Sequence, residues 1–220
     1  GRVWTRKELE RVSALCLAHD VLLVSDEIHF DLIAKGQTHT VLASINPGIQ
    51  QRCIVCTALS KTFNVPGIGN SNLIVPNEGL RKTLGRQLGL DGCGSTLYFS
   101  NAITVAAYRQ GEAWLEELLD YIQGNYDALC DVMRRRFPQA VVSPREGTYL
   151  AWVDLRFMGM TQEKLTACME AAGCYLGPGA DYGPKGQGFV RVNLAMPRQV
   201  MVENLERFTD VCRQEGYANR

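Results

Sequence analysis

Two short apolar runs, each ending in charged or hydroxyl-bearing residues, constrain this chain most. They are Val21-Leu22-Leu23-Val24, followed by Ser25-Asp26-Glu27, and Cys53-Ile54-Val55-Cys56, followed by Thr57-Ala58-Leu59-Ser60-Lys61. A short apolar run bounded by turn chemistry is the pattern of a buried strand. Ahead of the first run, Thr5-Arg6-Lys7-Glu8 has the Thr and Glu spacing of a capping box. Leu9, Val12, Leu15, Cys16 and His19 then follow at helical spacing. His19 ends that helix, where a histidine complements the dipole. A helix followed at once by an apolar strand is the order of a βαβ crossover, so an α/β chain with a mostly parallel sheet is expected.

Open sheets of this kind place their ligands beyond the carboxyl ends of the strands. Lys61 stands just past the second run, and Val65-Pro66-Gly67 cannot easily continue a strand. A lysine held in such a crevice is desolvated, which disfavours its charged form and frees the amine as a nucleophile. The chemistry to expect is Schiff-base formation with a carbonyl compound, pyridoxal phosphate being one candidate; the competing reading is a surface charge. Asp26 would leave the sheet at the same edge. A carboxylate beside the cofactor's ring nitrogen keeps that nitrogen protonated, and a protonated ring is the better electron sink.

Further along, Ser71-Asn72-Leu73-Ile74-Val75 reads as a strand. Pro76-Asn77-Glu78 opens a helix with Leu80, Leu84 and Leu88 on one face, and a glycine-rich break from Asp91 to Ser95 precedes a second helix near Ser100 and Asn101. Gly111 and Gly124 interrupt a helical region spanning about 102–136. Strands at 140–142 and 148–153, a helix at 161–172, a strand at 189–194 and a last helix from Met196 complete an α+β pattern. The loop 177–186 is mobile by composition. Within the strand at 189–194, Arg191 is flanked by Val190 and Val192 and needs a partner, since an unpaired buried charge is costly. An ion pair with Asp or Glu and a substrate carboxylate satisfy that need equally, and a planar guanidinium suits the latter. Arg198 is the second choice for this role. His39, in a polar, turn-rich segment, is expected to face solvent.

The 220 residues are 46% hydrophobic and 21% charged, ordinary globular usage with room for a sizeable core. Lys plus Arg and Asp plus Glu number 23 each, so nothing in the charge favours nucleic acid or an anionic membrane as partner. No apolar run reaches spanning length, and the opening residues lack the make-up of a signal peptide. Eight cysteines are scattered through apolar or helical patterns. Cys53 and Cys56 would face opposite sides of a strand, so no metal or redox role is expected of them, and reduced thiols in a cytoplasmic protein are.

Three stretches carry a resemblance: Asp26-Glu27-Ile28-His29, Ser60-Lys61-Thr62-Phe63-Asn64 and Gly188-Phe189-Val190-Arg191-Val192-Asn193-Leu194-Ala195-Met196-Pro197-Arg198. Together they resemble class I/II aminotransferases of pyridoxal-phosphate fold type I, and within them the carbon–sulfur β-lyases of the cystathionine β-lyase branch. The resemblance implies the C-terminal portion of such a protein, opening just after the family's Asn-Pro-x-Asn-Pro-x-Gly turn. It implies residues 1–115 as the later part of a large cofactor-binding domain with a mostly parallel sheet, and 116–220 as a small α+β domain. The implied cofactor is pyridoxal 5'-phosphate on Lys61, with Asp26, His29, Ser60 and Thr57 around it and Arg191 on the substrate carboxylate. His29 would donate to the cofactor's phenolic oxygen. Ser100 and Asn101 would approach a neighbouring subunit's site in a homodimer, although a plain helix N-cap explains them as well. The implied reaction cleaves a sulfur amino acid to a thiol, pyruvate and ammonia, with amino transfer as the alternative, or no catalysis if the chain lacks what a complete site needs. Many aminotransferases carry a serine three residues before the lysine and an arginine eight after it. Here those positions are Ala58 and Gly69, so the phosphate grip is less charged.

Overall fold

The computed structural model describes residues 1–215, and the chain divides into two compact units, Val3–Glu117 and Gly1–Arg2 with the chain from Leu118 onward. In the first unit, α1 (Arg6–Ala18) starts at Thr5. The Thr5 side chain accepts from the Glu8 amide while Glu8 accepts from the Thr5 amide at 2.9 Å, the reciprocal capping box expected. His19 is the C-cap, and Asp20 turns the chain with a φ of 56°.

Strand β1 (Leu23–Asp26), helix α2 (Pro47–Gln50), strand β2 (Cys53–Thr57), the one-turn helix α3 (Leu59–Thr62) and strand β3 (Asn72–Ile74) follow. The sheet order is β1-β2-β3, with β1 parallel and β3 antiparallel to β2. Leu42, Ile49, Cys53 and Val55 form a small core, joined by Leu9, Cys16 and Leu23. Strand β1 begins two residues later than the apolar run suggests, and it is not buried on both faces. Among the described residues it pairs with β2 alone, and Val24 is 57% exposed.

Helices α4 (Glu78–Leu90) and α5 (Ser100–Gln110) lead to α6 (Glu112–Arg136). Of the two expected interruptions, Gly111 does separate α5 from α6, but Gly124 lies inside an unbroken α6. A Cβ at Gly124 would press on the guanidinium of Arg198, so glycine there makes room rather than a break.

In the second unit, β4 (Val141–Val142), β5 (Leu150–Asp154), α7 (Gln162–Ala172), β6 (Gly177–Pro178), β7 (Phe189–Asn193) and α8 (Arg198–Gln214) follow α6. The sheet runs β4-β5-β7-β6 and all its pairs are antiparallel. Ile122, Leu129 and Met133 of α6 pack with Leu165 and Met169 of α7, Leu205 and Phe208 of α8, and Val153 and Val190 of the sheet. The Gly1 carbonyl accepts from the amides of Glu146 and Gly147 at 2.7 and 2.9 Å, which ties the first residues to this unit.

The segment 177–186 is not the mobile loop its composition suggests. It holds β6 and two 3₁₀ turns, and Gly179 and Gly186 are buried against each other's backbone. A Cβ at Gly179 would sit 2.6 Å from the Phe189 carbonyl, closer than any real contact. Gly179→Ala should therefore cost about 2 kcal/mol, read as a lower denaturant midpoint at unchanged slope.

Candidate active site

The register of β1 on β2 sets the geometry. Asp26 lies opposite Cys56, and the Glu27 amide extends the ladder by donating to the Cys56 carbonyl at 2.8 Å. Because the two strands are parallel, Asp26 and helix α3, which follows β2 and carries Lys61, leave the sheet at the same, carboxyl, edge. Asp26 is exposed, and its Oδ1 accepts only the local amide of Ile28 at 3.2 Å. His29 sits partly buried in the turn that follows, where its carbonyl accepts from the Leu32 amide.

Lys61 is held by its backbone. Helix α3 stops because Asn64 takes the left-handed conformation, φ 53°, and the Val65 amide then closes on the Ser60 carbonyl at 3.0 Å. Asparagine tolerates that conformation better than most residues, so the turn after the lysine is written into the sequence. Two residues on, Phe63 lies edge-on to Tyr108 at 5.7 Å and tilted on Trp114 at 5.8 Å. Glycine at 111 permits this, since a Cβ there would strike the Phe63 ring. Lys61 itself is only partly buried, short of the full desolvation expected.

The two hydroxyls differ. Thr57 accepts from the Asn72 side chain at 3.3 Å, an engagement its sequence position did not reveal. Ser60 is partly exposed, and its hydroxyl has no hydrogen-bond partner among the described residues, which leaves it the better placed to meet an anion.

Several expectations need correction. His39 is not left to solvent. Its Nε2 lies 2.8 Å from Oε2 of Glu27, a carboxylate that is itself only 6% exposed. Ser100 is buried and donates to the Ile68 carbonyl at 2.5 Å, a structural tie within the unit. It does not cap α5, whose N-cap is Phe99. Asn101 is exposed. Arg198, the second choice for a carboxylate clamp, is spent on Asn125 Oδ1 at 2.9 Å and on the Tyr121 ring at 5.0 Å.

Arg191, in the second unit, lies 4.9 Å over the ring of Tyr182, which in turn stands edge-on to Trp152 at 5.4 Å. Among the described residues it makes no ion pair with a carboxylate. Sequence reasoning missed Glu27, Thr62 and Arg145. Arg145 is 9% exposed and donates to the Thr148 carbonyl and to Gln123 at 2.8 and 2.9 Å. A proline before it and a Glu-Gly after it made it look like an ordinary turn residue.

With this geometry in place, the family profile for class I and II aminotransferases matches residues 1–208. The chain belongs to the class I and II aminotransferase family. Among relatives of this family member, cystathionine beta-lyase PatB of Bacillus subtilis (strain 168) is 35% identical over 208 residues, covering 94% of this chain and 54% of that protein. Protein MalY of Escherichia coli (strain K12) is 36% identical over 200 residues, covering 90% of this chain and 50% of that protein. Among solved structures, cystalysin from Treponema denticola, which contains a pyridoxal 5'-phosphate cofactor, superposes with a TM-score of 0.92 at 33% identity, covering 98% of this chain and 55% of that one. The PLP-bound C-S lyase of Staphylococcus hominis gives 0.87 at 33% identity, covering 96% of this chain and 54% of that one. The fold is thus that of the pyridoxal-phosphate-dependent fold type I proteins, and the chain spans about half the length of the relatives it matches. Among the described residues no helix is long and apolar enough to cross a membrane, and no group of His, Cys, Asp and Glu is arranged to hold a metal ion.

Proposed function

We propose that this chain carries the lysine, the ring-nitrogen carboxylate and the substrate arginine of a pyridoxal-phosphate-dependent carbon–sulfur β-lyase. The observation that carries the reading is the parallel register that delivers Asp26 and Lys61 to one sheet edge. The donor set there fits the cofactor: an amine for its aldehyde, an exposed carboxylate for its ring nitrogen and an unengaged hydroxyl at Ser60 for its phosphate, with Thr57 second. His29 would donate to its phenolic oxygen. When bound, the group supplies an electron sink for a carbanion at the substrate's α-carbon.

In this reading Lys61 would anchor the cofactor, and its free amine would take the substrate's α-proton as general base. Asp26 holds the proton on the ring nitrogen. Arg191 binds the substrate carboxylate with its planar fork, for which no carboxylate among the described residues competes. Loss of the β-thiol group, which leaves with a proton, gives 2-aminoacrylate, and water hydrolyses this to pyruvate and ammonia. Names among the relatives, cystathionine beta-lyase and C-S lyase, support the lyase over amino transfer. The same reading takes 1–115 as cofactor-binding and 116–220 as the small domain, the last five residues lying outside those described. It takes the protein as a cytoplasmic homodimer, supported by eight unbridged cysteines and by exposed Leu97, Tyr98 and Phe99.

The test is the full-length gene product with cystathionine as substrate. Pyruvate release without a keto acid, together with borohydride-fixed label on Lys61, is expected. Amino transfer that depends on a keto acid overturns the lyase assignment, and a colourless protein that takes up no pyridoxal phosphate overturns the site. Arg191→Lys keeps the charge but loses the fork, so kcat/KM should fall about 10–100-fold, mostly through KM, in the same assay.

A further inference from the structure

The residues immediately after the two principal site residues are both buried polar groups with partners on one segment. Glu27 follows Asp26 and Thr62 follows Lys61. Every oxygen of the Glu27 carboxylate is used. Oε1 accepts from Ser25 Oγ and from the Leu42 amide, each at 3.0 Å, and Oε2 meets His39 Nε2 at 2.8 Å. Thr62 is fully buried, and its Oγ1 donates to Asp31 Oδ2 at 2.9 Å. Between these anchors the segment is folded on itself by bonds from the Phe30 amide to the Glu27 carbonyl and from the Leu32 amide to the His29 carbonyl, each at 3.0 Å, with Leu32 wholly buried.

We infer that the segment 27–42 is a brace, in which Glu27 held by His39 and the Leu42 amide, and Asp31 held by Thr62, are positioning residues that fix the backbone beside Asp26 and Lys61 relative to each other. The inference rests on the proposed function for its catalytic consequence and on the hydrogen bonds for its geometry. On a helix, neighbouring side chains point about 100° apart, so a Thr62 side chain tied inward turns Lys61 away from the core. Burial pushes the Glu27 carboxyl up, but the bonds from His39, Leu42 and Ser25 outweigh it and hold it below the usual carboxylate range. Burial raises Asp31, with Thr62 and His39 opposing. His39 acts on both carboxylates, which makes the two pairs one electrostatic group. None of these side chains is assigned a contact with the cofactor or the reacting atoms, so their effect is indirect.

The experiment uses the full-length gene product, wild type and the variants Thr62→Val, Thr62→Ser and His39→Ala. Valine keeps the volume of Thr62 and removes the donor. A misplacement near 1 Å costs about 10²-fold in rate, so Thr62→Val should lower kcat by about 10–100-fold and change the visible absorption of the bound cofactor, while KM stays within about threefold. Thr62→Ser, which restores the hydroxyl, should return kcat to within about threefold of wild type. In cofactor-free protein, His39→Ala should speed hydrogen exchange at the Leu42 amide at least about tenfold, a readout independent of activity and usable even if Thr62→Val fails to fold. Unchanged kcat and spectrum in Thr62→Val, equal loss in the serine and valine variants, or unchanged Leu42 exchange in His39→Ala would each overturn the brace. Wild-type protein with borohydride label on Lys61 but insensitive variants refutes the brace alone, whereas wild type without label refutes the function and the brace's catalytic role with it.

Discussion

Lys61→Ala in the full-length gene product should abolish borohydride-stable labelling and cut pyruvate production by at least about 10³-fold. A positioned general base alone is worth about 10²–10⁴ in rate, and in the proposed function this residue is also the covalent anchor. The loss should appear in kcat and kcat/KM alike, since proton transfer belongs to the transition state and not to substrate binding. The fold should be untouched, because Lys61 is only partly buried and α3 is held by Thr62, Phe63 and the left-handed Asn64 on its other side. A variant that keeps more than a tenth of wild-type activity would mean the proton is taken elsewhere.

Asn125→Leu should cost about 3–5 kcal/mol of stability, the largest effect expected of a single change away from the site. Asn125 is fully buried in α6. Its amide donates to the carbonyls of Leu194 and Met196 at 2.7 and 2.8 Å, and its Oδ1 accepts from Arg198 Nε at 2.9 Å. Leucine has the same branched skeleton, is somewhat larger, and satisfies none of the three. Two carbonyls would be stranded where β7 turns into α8, and each unpaired buried group costs about 1–3 kcal/mol. Part is recovered because Arg198 keeps the Tyr121 ring and carbonyl. Urea unfolding followed by circular dichroism checks this: the midpoint should fall by about 1–2 M at a slope typical of such domains. A midpoint within about 0.3 M of wild type would mean the carbonyls find water.

The elements were legible where local chemistry and periodicity agree. The capping box at Thr5, the break at Val65-Pro66-Gly67 and the apolar flanks of Arg191 all announced themselves, and so did the shared sheet edge of Asp26 and Lys61. What escaped depends on long-range partners. Nothing local distinguishes His39, which meets Glu27 twelve residues away, from an exposed loop histidine. Gly124 reads as a helix breaker until the Arg198 guanidinium, far along the chain, is seen to fill its space. Thr57 and Ser60 look alike as hydroxyls, and only the antiparallel pairing of β3 brings Asn72 onto one of them. The Gly-Pro-rich stretch at 177–186 misled in the opposite sense, because glycine serves close backbone packing as well as freedom.

Among the described residues strand β1 pairs with β2 alone, and its far side presents amides and carbonyls beside Val24. Any extended peptide of suitable length can complete that ladder, a sister molecule included. For these residues expressed by themselves, purification yield is then a matter of concentration as much as of stability. Dilution and salts that keep strangers off this border favour the solitary molecule, and crowding favours the tangle.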